Sequence, residues 1–452
     1  MEHYTLLTGA SGLVGRYLMR DLLKKGHRLA VLVRKSRRES AKARVESIMQ
    51  MWEQQDDVRY PRPICIEGDV NSPGLGISPK AEHWLEEHCG RILHNAAVLE
   101  FNGSDRSREP WRTNYGGTKA ILEFAEQIGV RKFDYVSTAY VCGKRPGPIL
   151  ETELDCGQGF RNDYEQSKFE SEQMVVNNSF IDPPRIFRPA VIAGDSQTGY
   201  TSTFHGLYVY MRVISTLAKI TPRDSSGRRY TPFRAPVNGD ELRNIICVDW
   251  VSAVIAELFD KEETQGMTFH LTPDRATTAK ELMDASQTYF NTYGVEFAGI
   301  GYEYGRDITL FERAFQLDTE TYRQYESSDP VFDTTNLRKH SSLPCPPITE
   351  ELLHRFWDFC HDCKWGKKRS KKLRKLTWAE DLLSGASAKQ QRGTQDMLQD
   401  ADTTGVDVLG PGGGQFHLRR DGQQIQVHSG LPAQNARVVN TSVPELQELL
   451  GQ

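Results

Sequence analysis

The chain lacks an apolar run long enough to cross a membrane. None of its stretches approaches the roughly 20 apolar residues that a bilayer-spanning helix needs. Its first apolar run begins at Tyr4, which leaves no room for the charged and apolar regions of a secretory signal peptide. We therefore expect a cytoplasmic protein without a transmembrane segment.

An excess of charge of one sign and a dense set of cysteines are also missing. With 60 acidic and 56 basic residues, the net charge of −4 gives no reason to expect a nucleic-acid partner. The eight cysteines are scattered, which fits reduced thiols better than a disulfide framework. Only Cys360 and Cys363 have metal-like spacing, and they fall in a helical pattern beginning near Ile348 without a second ligand pair. We predict no metal site.

The strongest motif is a glycine-rich turn at the start of the chain, between a short apolar run and a helical pattern. Glycines in such a turn let the backbone approach a pyrophosphate, and the helix N-terminus offers free N–H groups to it. A tight strand-to-helix turn also needs glycine for steric reasons alone. The flanking strand and helix favour the dinucleotide interpretation. The predicted cofactor contacts are Gly9, Ser11, Gly12, Leu13 and Gly15.

A basic residue follows the predicted second strand, Arg28–Val33. Where an NAD enzyme would place a ribose-binding carboxylate, this chain has Arg34, followed by Lys35. A guanidinium can hold a 2′-phosphate through two charge-assisted hydrogen bonds, whereas a carboxylate would repel it. Arg34 therefore predicts NADP, used as NADPH; the alternative is a solvated basic loop.

Two further predicted strands, Ile64–Val70 and Arg91–Ala97, end in polar or small residues. In doubly wound sheets, ligands bind at the carboxyl ends of the strands. The predicted cofactor contacts at these ends are Asp69, Val70, Asn95 and Ala96.

A hydroxyl and a Tyr-Lys pair supply the predicted chemistry. A fifth strand, Phe133–Ala139, delivers Ser137 and Thr138, and a later helical segment has Tyr164 and Lys168 four residues apart on one face. A nearby ammonium should lower the tyrosine pKa from its usual value near 10. Tyr164 would then protonate a carbonyl oxygen that Thr138 also binds while the cofactor delivers hydride. Such a pair also occurs by chance on surface helices.

The order of the motifs TGASGLVG, GDV, HNAA, NYGGT, STAYVCG and YEQSK resembles the extended short-chain dehydrogenase/reductase family. Aligning Gly143 with that family's pattern places the catalytic hydroxyl on Thr138 rather than Ser137. Further segments resemble thioester reductases, which include terminal reductase domains of peptide and polyketide synthases, the reductase part of carboxylic acid reductases, and fatty acyl-CoA reductases. These segments are Gly68–Ser78, Arg188–Gly199 and Val248–Val251.

The resemblance covers residues 3–275 well and a later part loosely. It implies an α/β Rossmann-type doubly wound parallel sheet, NADPH, and an acyl thioester substrate on coenzyme A or a separate carrier protein. Thr138, Tyr164 and Lys168 would form the catalytic set, which releases an aldehyde and, after a second hydride, an alcohol. The open alternatives are a dehydrogenase or epimerase acting on a nucleotide sugar or hydroxysteroid, and a non-catalytic NADP- or lipid-binding protein.

Breaks in the βαβ alternation divide the chain into predicted domains. Residues 1–199 with 239–255 form the NADP-binding domain, and 200–238 with 256–363 form a smaller substrate-binding part. The aromatic residues of Tyr200–Tyr210 suit an acyl-chain wall, although such residues are more often core. The basic loop Arg223–Arg234 could meet a carrier, although a solvated loop is the usual interpretation.

A basic linker and a small α+β module complete the predicted organisation. Eight of the twelve residues in 364–375 are Lys or Arg, which makes a poor core. In 376–452, alternating patterns on both sides of Asp421-Gly422 predict two paired strands. Gly412–Gly422 and Val443–Gly451 resemble part of a sterol carrier protein type two domain. That resemblance leaves lipid binding and a docking appendage as alternatives.

Overall fold

The computed structural model describes residues 3–103, 105–367, 376–388, 392–398, 401–422, 424–432 and 436–451. The strands are β1 (Tyr4–Thr8), β2 (Leu29–Val33), β3 (Ile64–Glu67), β4 (Cys89–His94), β5 (Lys132–Val136), β6 (Arg185–Pro189), β7 (Val191–Ala193), β8 (Arg229–Ala235), β9 (Leu242–Arg243), β10 (Ile245–Cys247), β11 (Thr268–Leu271), β12 (Thr277–Thr278), β13 (Thr292–Phe297), β14 (Thr403–Leu409), β15 (Gly414–Asp421), β16 (Gln424–Ser429) and β17 (Arg437–Ser442).

The helices are α1 (Leu13–Lys24), α2 (Ala41–Asp56), α3 (Pro79–His88), α4 (Thr118–Gln127), α5 (Asp163–Val176), α6 (Leu207–Ile220), α7 (Val248–Phe259), α8 (Ala279–Phe290), α9 (Leu310–Thr319), α10 (Thr335–His340), α11 (Glu350–Asp362), α12 (Ala379–Ala388), α13 (Arg392–Leu398) and α14 (Val443–Leu449).

A seven-stranded sheet of order β11-β6-β5-β4-β1-β2-β3 forms the centre of the molecule. All of its neighbouring strands are parallel, and the strand order reverses between β1 and β4. All residues of β1 and β2 are buried, as expected for a parallel sheet covered on both faces. The predicted Rossmann-type doubly wound sheet is confirmed, and its reversal point is where such sheets bind ligands.

Helices cover the two faces of this sheet. On one face, α1, α2 and α7 bury Leu18, Leu22, Trp52 and Val254 in one apolar cluster. On the other face, α3, α4 and α5 contribute to a second cluster. Full burial of a leucine side chain stabilises a fold by about 1.5–3 kcal/mol, so these two layers hold the sheet in place.

The predicted boundary at residue 256 is wrong for the segment that follows it. β11 pairs with β6 as the edge strand of the large sheet, and α7, which precedes it, packs on α1. β11 has four residues and follows a helix whose preceding strand, β10, pairs with β7 outside the large sheet. The segment therefore shows no regular βαβ alternation in sequence, although it completes the large sheet.

The smaller part is built from excursions that leave the carboxyl ends of β6 and β11. Its core combines residues of α6, α8 and α11, among them Met211, Leu353, Phe356 and Trp357. Its strands β8 and β13 form a separate parallel pair. Because both excursions leave from one edge of the sheet, the smaller part lies beside the glycine turn that follows β1.

The Gly194–Gly199 segment anchors the first excursion to the nucleotide-binding side. Asp195 accepts hydrogen bonds from the backbone N–H groups of Gln197 and Thr198, at 2.9 and 2.7 Å, and from the Tyr17 hydroxyl of α1 at 2.9 Å. Ser196 donates its backbone N–H to Asp249 of α7 at 2.9 Å. The segment thus joins the two parts through side chains of α1 and α7.

The C-terminal module is a four-stranded sheet of order β16-β15-β14-β17, with α12, α13 and α14 packed in its core. The predicted strand pair is confirmed, since β15 and β16 are antiparallel on the two sides of Gly422. Most of the basic stretch 364–375, namely 368–375, lies outside the described residues. The resemblance to a lipid carrier stays a prediction.

This module docks on the amino-terminal edge of the large sheet. Tyr4, the first residue of β1, donates its hydroxyl to Gln415 Oε1 at 2.9 Å and accepts the Leu431 N–H at 2.9 Å. The Trp84 indole donates to the Ser429 carbonyl at 2.9 Å. Within the described ranges, no helix combines the length and apolarity needed to span a membrane.

Candidate functional site

The glycine turn between β1 and α1 is packed too closely to admit side chains at two of its positions. Gly9 has a φ of +68°, and a Cβ there would lie 2.8 Å from the Ala96 backbone nitrogen. A Cβ on Gly15 would lie 2.1 Å from the Gly9 carbonyl oxygen. Thr8 holds the end of β4 against the turn, since its Oγ1 accepts the N–H groups of Asn95 and Ala96 at 3.1 Å.

One cavity of about 730 Å³ runs from this turn into the smaller part. It brings together the predicted site residues Gly9, Ser11, Gly12, Leu13, Arg34, Asp69, Val70, Asn95, Ala96, Thr138, Tyr164 and Lys168. The predicted contact that is not part of this lining is Gly15, which lies under the turn and lets α1 pack against Gly9.

A cationic cluster stands at the end of β2. Arg34 is 62% exposed, with its Nη1 3.5 Å from Asp69 Oδ2. Arg44 of α2 donates from Nη2 to Ser11 Oγ at 3.1 Å and also bonds the Arg34 carbonyl oxygen. Burial and the nearby charges of Arg16 and Arg34 lower the pKa of Arg44. The sequence analysis missed Arg44, because it stands ten residues beyond Arg34 inside the next helix.

Two adjacent hydroxyls after β5 have different partners. The Ser137 hydroxyl donates to Glu172, and that carboxylate also accepts two hydrogen bonds from Arg188, at 2.9 and 2.6 Å. The Thr138 hydroxyl instead donates to the Pro189 carbonyl at 3.4 Å and accepts the Tyr140 N–H at 3.3 Å, and it lines the same cavity as the Tyr164 phenol. A carbonyl oxygen placed between Thr138 and Tyr164 would meet two hydroxyls, which is an arrangement suited to stabilising negative charge on oxygen.

The ionisation of the Tyr-Lys pair differs from the prediction. Burial raises the pKa of Tyr164 to about 12, although the nearby Thr138 hydroxyl acts in the opposite direction. Burial lowers the pKa of Lys168 to about 7, with the Glu172 carboxylate opposing the shift. The Lys168 ammonium donates to Tyr135 Oη at 2.7 Å and to the Val136 carbonyl at 2.8 Å. The predicted lowering of the Tyr164 pKa is therefore wrong, because burial of the phenol is the largest effect on it.

A π-helical turn, Arg112–Gly117, precedes α4 and contains a polar residue that the sequence analysis left without a role. Asn114 donates from Nδ2 to the Val98 carbonyl at 3.1 Å and to Ser167 Oγ at 3.0 Å, and its Oδ1 accepts the Val98 N–H at 2.8 Å. It thereby fixes the segment after β4 against α5. π-Helical turns are rare overall, but those that occur are often at functional sites. The motif NYGGT, which contains Asn114, could therefore have indicated a functional residue.

The far end of the cavity is apolar. Its walls come from α6, α8 and α11 and include Met211, Ile214, Leu282, Leu353 and Trp357. This group of five side chains is called the apolar chamber below.

The aromatic segment Tyr200–Tyr210 divides between wall and core. Tyr208 and Tyr210 line the cavity, which agrees with an acyl-chain wall, whereas Tyr200 packs against Tyr17 and Trp52.

The basic loop Arg223–Arg234 is partly neutralised. Arg234 bonds Glu312 at 2.7 Å and Asp307 at 2.6 Å, and these carboxylates raise its pKa. Arg223 and Arg228 are exposed to solvent. A contact between this loop and a carrier stays a prediction.

Comparison with known proteins gives one family. The profile of the male sterility protein family matches residues 7–255. The chain is 26% identical over 382 residues to a linear gramicidin synthase of Brevibacillus parabrevis, covering 78% of this chain and 7% of that protein. It is 24% identical over 343 residues to the fatty acyl-CoA reductase wat of Drosophila melanogaster, covering 67% of this chain and 61% of that protein. The chain thus spans less than two thirds of each relative.

Solved structures share the fold. The terminal R domain from the myxalamid PKS-NRPS biosynthetic pathway superposes with a TM-score of 0.65 and 23% identity, covering 81% of this chain and 93% of that one. UDP-glucose-4-epimerase from Stenotrophomonas maltophila, with bound NAD, gives a TM-score of 0.57 and 16% identity, covering 80% of this chain and 99% of that one. Family and fold together support a nicotinamide dinucleotide cofactor. Because the family profile matches more than half of its residues, the chain belongs to the male sterility protein family, the thioester reductase branch of the extended short-chain dehydrogenases that its motifs predict.

Proposed function

We propose that the protein is an NADPH-dependent reductase of an acyl thioester, yielding an aldehyde or, after a second hydride transfer, an alcohol. The observation that carries this proposal is the single cavity that joins the glycine turn, the Thr138 and Tyr164 hydroxyls, and the apolar chamber. The glycine turn at one end suits a dinucleotide, and the apolar chamber suits an acyl group.

The cofactor end fits NADPH. The steric exclusion of side chains at Gly9 and Gly15 leaves space for a pyrophosphate at the N-terminus of α1. The guanidinium groups of Arg34 and Arg44 at the end of β2 support NADPH, because they could give a 2′-phosphate charge-assisted hydrogen bonds. When bound, NADPH supplies the hydride.

The chain's own residues act on the thioester carbonyl and on the proton. Thr138 and Tyr164 hold the carbonyl oxygen as negative charge develops, and Tyr164 gives its proton to that oxygen. The charged Lys168 ammonium, one helical turn away, stabilises the phenolate that remains. Hydride addition gives a hemithioacetal, whose collapse breaks the carbon–sulfur bond and releases a thiol and an aldehyde.

The carrier of the acyl group is coenzyme A or a separate carrier protein. One relative is named a fatty acyl-CoA reductase, and a solved structure of similar fold is a thiolation-reductase di-domain of a non-ribosomal peptide synthetase. Both names support a thioester, although they differ in the carrier. We also propose the domain division expected from the sequence, with residues 256–271 moved to the nucleotide-binding domain because β11 pairs with β6.

Nucleotide-sugar chemistry is favoured by the epimerase fold alone. A sugar nucleotide brings a diphosphate to the substrate side of the cavity, where a cation would have to bind it. Arg243 lines the cavity on that side. Its guanidinium already donates hydrogen bonds to the carbonyls of Leu242, Ser327 and Glu326, at 2.9–3.0 Å. The apolar chamber suits an acyl chain better than a sugar.

Direct assay of the purified chain tests the proposal. We expect consumption of NADPH, followed by absorbance, with acyl-CoA or acyl-carrier thioesters, and aldehyde that forms in step with it. NADPH should be preferred to NADH. Arg34→Asp should reduce that preference at least tenfold, because a loss of about 1.4 kcal/mol in binding the 2′-phosphate corresponds to one factor of ten. Turnover of a nucleotide sugar or hydroxysteroid without turnover of any thioester would overturn the proposal.

A further inference from the structure

We propose that Tyr135 is a positioning residue for the reaction, whose phenol oxygen anchors the Lys168 ammonium from the sheet side. This inference rests on the proposed function, since it assigns a partner to a residue of the proposed catalytic set. Nothing in the motif Tyr-x-x-x-Lys points to Tyr135, which lies on β5 rather than on the helix that carries Tyr164 and Lys168.

The Lys168 ammonium lies close to both the hydroxyl and the ring of Tyr135. Lys168 Nζ lies 2.7 Å from Tyr135 Oη and 4.2 Å from the centroid of the Tyr135 ring. The second acceptor of the ammonium is the Val136 carbonyl, a backbone group at 2.8 Å. Lys168 is 1% exposed and Tyr135 is fully buried, so water cannot replace either acceptor. Tyr135 is therefore the side chain on which the solvation of this ammonium depends.

Tyr135 is held in place by the ring beside it. His94 of β4 stacks on the Tyr135 ring, with centroids 5.7 Å apart and an angle of 20° between the ring planes. Both side chains are buried. The stacking fixes the ring, so the phenol oxygen stays within reach of the Lys168 ammonium.

Two threonines fix His94 in turn. His94 Nε2 lies 3.1 Å from Thr118 Oγ1, and His94 Nδ1 lies 2.7 Å from Thr8 Oγ1. The Thr118 hydroxyl donates to the Asn114 carbonyl, which belongs to the π-helical turn. Because the Thr118 proton is already used, Nε2 carries the imidazole proton and Nδ1 accepts from Thr8. Thr8 in turn accepts the two backbone N–H groups after β4.

These contacts link the strand that leads into the glycine turn with the lysine of the proposed catalytic set. Burial and the Lys168 charge keep His94 neutral, with its pKa lowered to about 3. A neutral imidazole in one tautomer has a fixed orientation, and its stacking on Tyr135 fixes the phenol ring.

Among the groups around Lys168, Tyr135 is important for keeping the lysine charged. Glu172, one turn along α5, favours the charged lysine, but its carboxylate is shared with Arg188 of β6 and Ser137, which follows β5. Tyr164 on α5 and His94 on β4 are neutral at neutral pH. Against burial, which alone would discharge the lysine, Tyr135 and Val136 supply the direct hydrogen bonds to the ammonium.

Titration of Lys168 in the cofactor-free protein tests the inference. The protein is produced with ¹³C-labelled lysine, and the Lys168 signal is identified by its loss in Lys168→Met. In Tyr135→Phe we expect the midpoint of the Lys168 titration to fall by about one pH unit, since a hydrogen bond to a charged group is removed. Tyr4→Phe, which removes a buried hydroxyl from the amino-terminal end of β1, is the matched control and should leave the midpoint unchanged.

Activity gives the second readout. With a thioester that the wild type reduces, the alkaline limb of the kcat profile of Tyr135→Phe should move to lower pH by the same amount. If Tyr135→Phe does not fold, Tyr135→Met should move the midpoint in the same direction, because its flexible side chain can fill the same space without a hydroxyl. An unchanged midpoint in folded Tyr135→Phe overturns the inference, whereas a wild type inactive on every thioester overturns the proposed function and leaves the titration result standing.

Discussion

At the scale of single residues, Thr138 and Tyr164 determine what the proposed site can do. Both residues line the cavity, and Thr138 is buried in its wall. The phenol proton is the one that the product oxygen needs, whereas Thr138 only orients that oxygen.

Replacing Tyr164 by Phe should therefore separate binding from chemistry. We expect Tyr164→Phe to lower kcat by about 10²–10⁴-fold, the usual contribution of a general acid, and to leave NADPH binding within about twofold. Stopped-flow reduction of an acyl-CoA and fluorescence titration of NADPH measure the two quantities. A variant that keeps full kcat would exclude Tyr164 as the proton donor.

Lys168 predicts a pH dependence of stability. Its pKa falls from 10.5 in the unfolded chain to about 7 in the folded protein. The unfolded chain therefore binds more protons between these values, and the free energy of unfolding gains a contribution as pH rises through that window. Lys168→Met lacks this contribution, which is about 1.4 kcal/mol per pKa unit.

Urea unfolding at pH 7, 8 and 9 measures this difference. The stability of wild type relative to Lys168→Met should rise over the series, because the buried charge is progressively lost. If the stability difference between wild type and Lys168→Met is the same at the three pH values, folding does not lower the pKa of Lys168.

How far the sequence predicts the site is visible in these same residues. Motif spacing predicted that Thr138, Tyr164 and Lys168 act together, and all three line one cavity with the cofactor contacts of the glycine turn. It could not give the partner of Lys168, because Tyr135 lies 33 positions earlier and meets the lysine only when β5 packs under α5. Arg44 stayed hidden for the same reason, since residues 34–44 contain four arginines and only folding places Arg44 against Ser11.

At the scale of elements, the glycine turn is where local sequence and tertiary packing agree most closely. The turn needs Gly15 because the first turn of α1 passes over the Gly9 carbonyl. The neighbouring atoms are backbone atoms of Gly9 and Ala10, so no side chain can move aside.

A methyl group at this position should disrupt the turn. We expect Gly15→Ala to cost about 1–3 kcal/mol or more of stability, as overpacking does, and to abolish dinucleotide binding. Gly385→Ala in α12 is the control, because a Cβ there meets nothing within 4 Å and alanine favours a helix by about 0.5–1 kcal/mol. Thermal unfolding and NADPH titration compare the two variants, and equal behaviour would contradict the packing argument.

Elements with a regular pattern were predictable, and isolated ones were not. The strands β1 to β5 lie in apolar runs that end in turn residues, so the sequence predicts them. β11 has four residues and pairs only at the sheet edge, and nothing near it repeats the βαβ pattern. Its place depends on the open edge of β6, which is a property of the folded sheet.

At the scale of the whole molecule, the proposed reductase site and the Tyr4 contact of the C-terminal module lie at opposite edges of one sheet. The cavity opens at the carboxyl ends of the strands, whereas the module holds Tyr4 at the amino end of β1. A substitution that breaks the Tyr4 contact with the C-terminal module should therefore lower stability without changing kcat for thioester reduction.

Tyr4→Phe tests this separation. The variant leaves the Leu431 N–H and Gln415 Oε1 without their buried partner, which costs about 1–3 kcal/mol. We expect a lower unfolding midpoint and an unchanged kcat for thioester reduction. A large loss of kcat at a temperature where the variant is folded would show that the two edges are coupled.

The seam between the module and the sheet also contains an optical probe. The Trp84 indole donates its N–H to the Ser429 carbonyl and packs edge-on against Tyr4, with ring centroids 5.0 Å apart. Detachment of the module would expose this indole to water and shift its emission to longer wavelength. Fluorescence of the full chain, with Trp84→Phe as the blank, can therefore follow the opening of this seam in real time while NADPH or a thioester is added at the other edge.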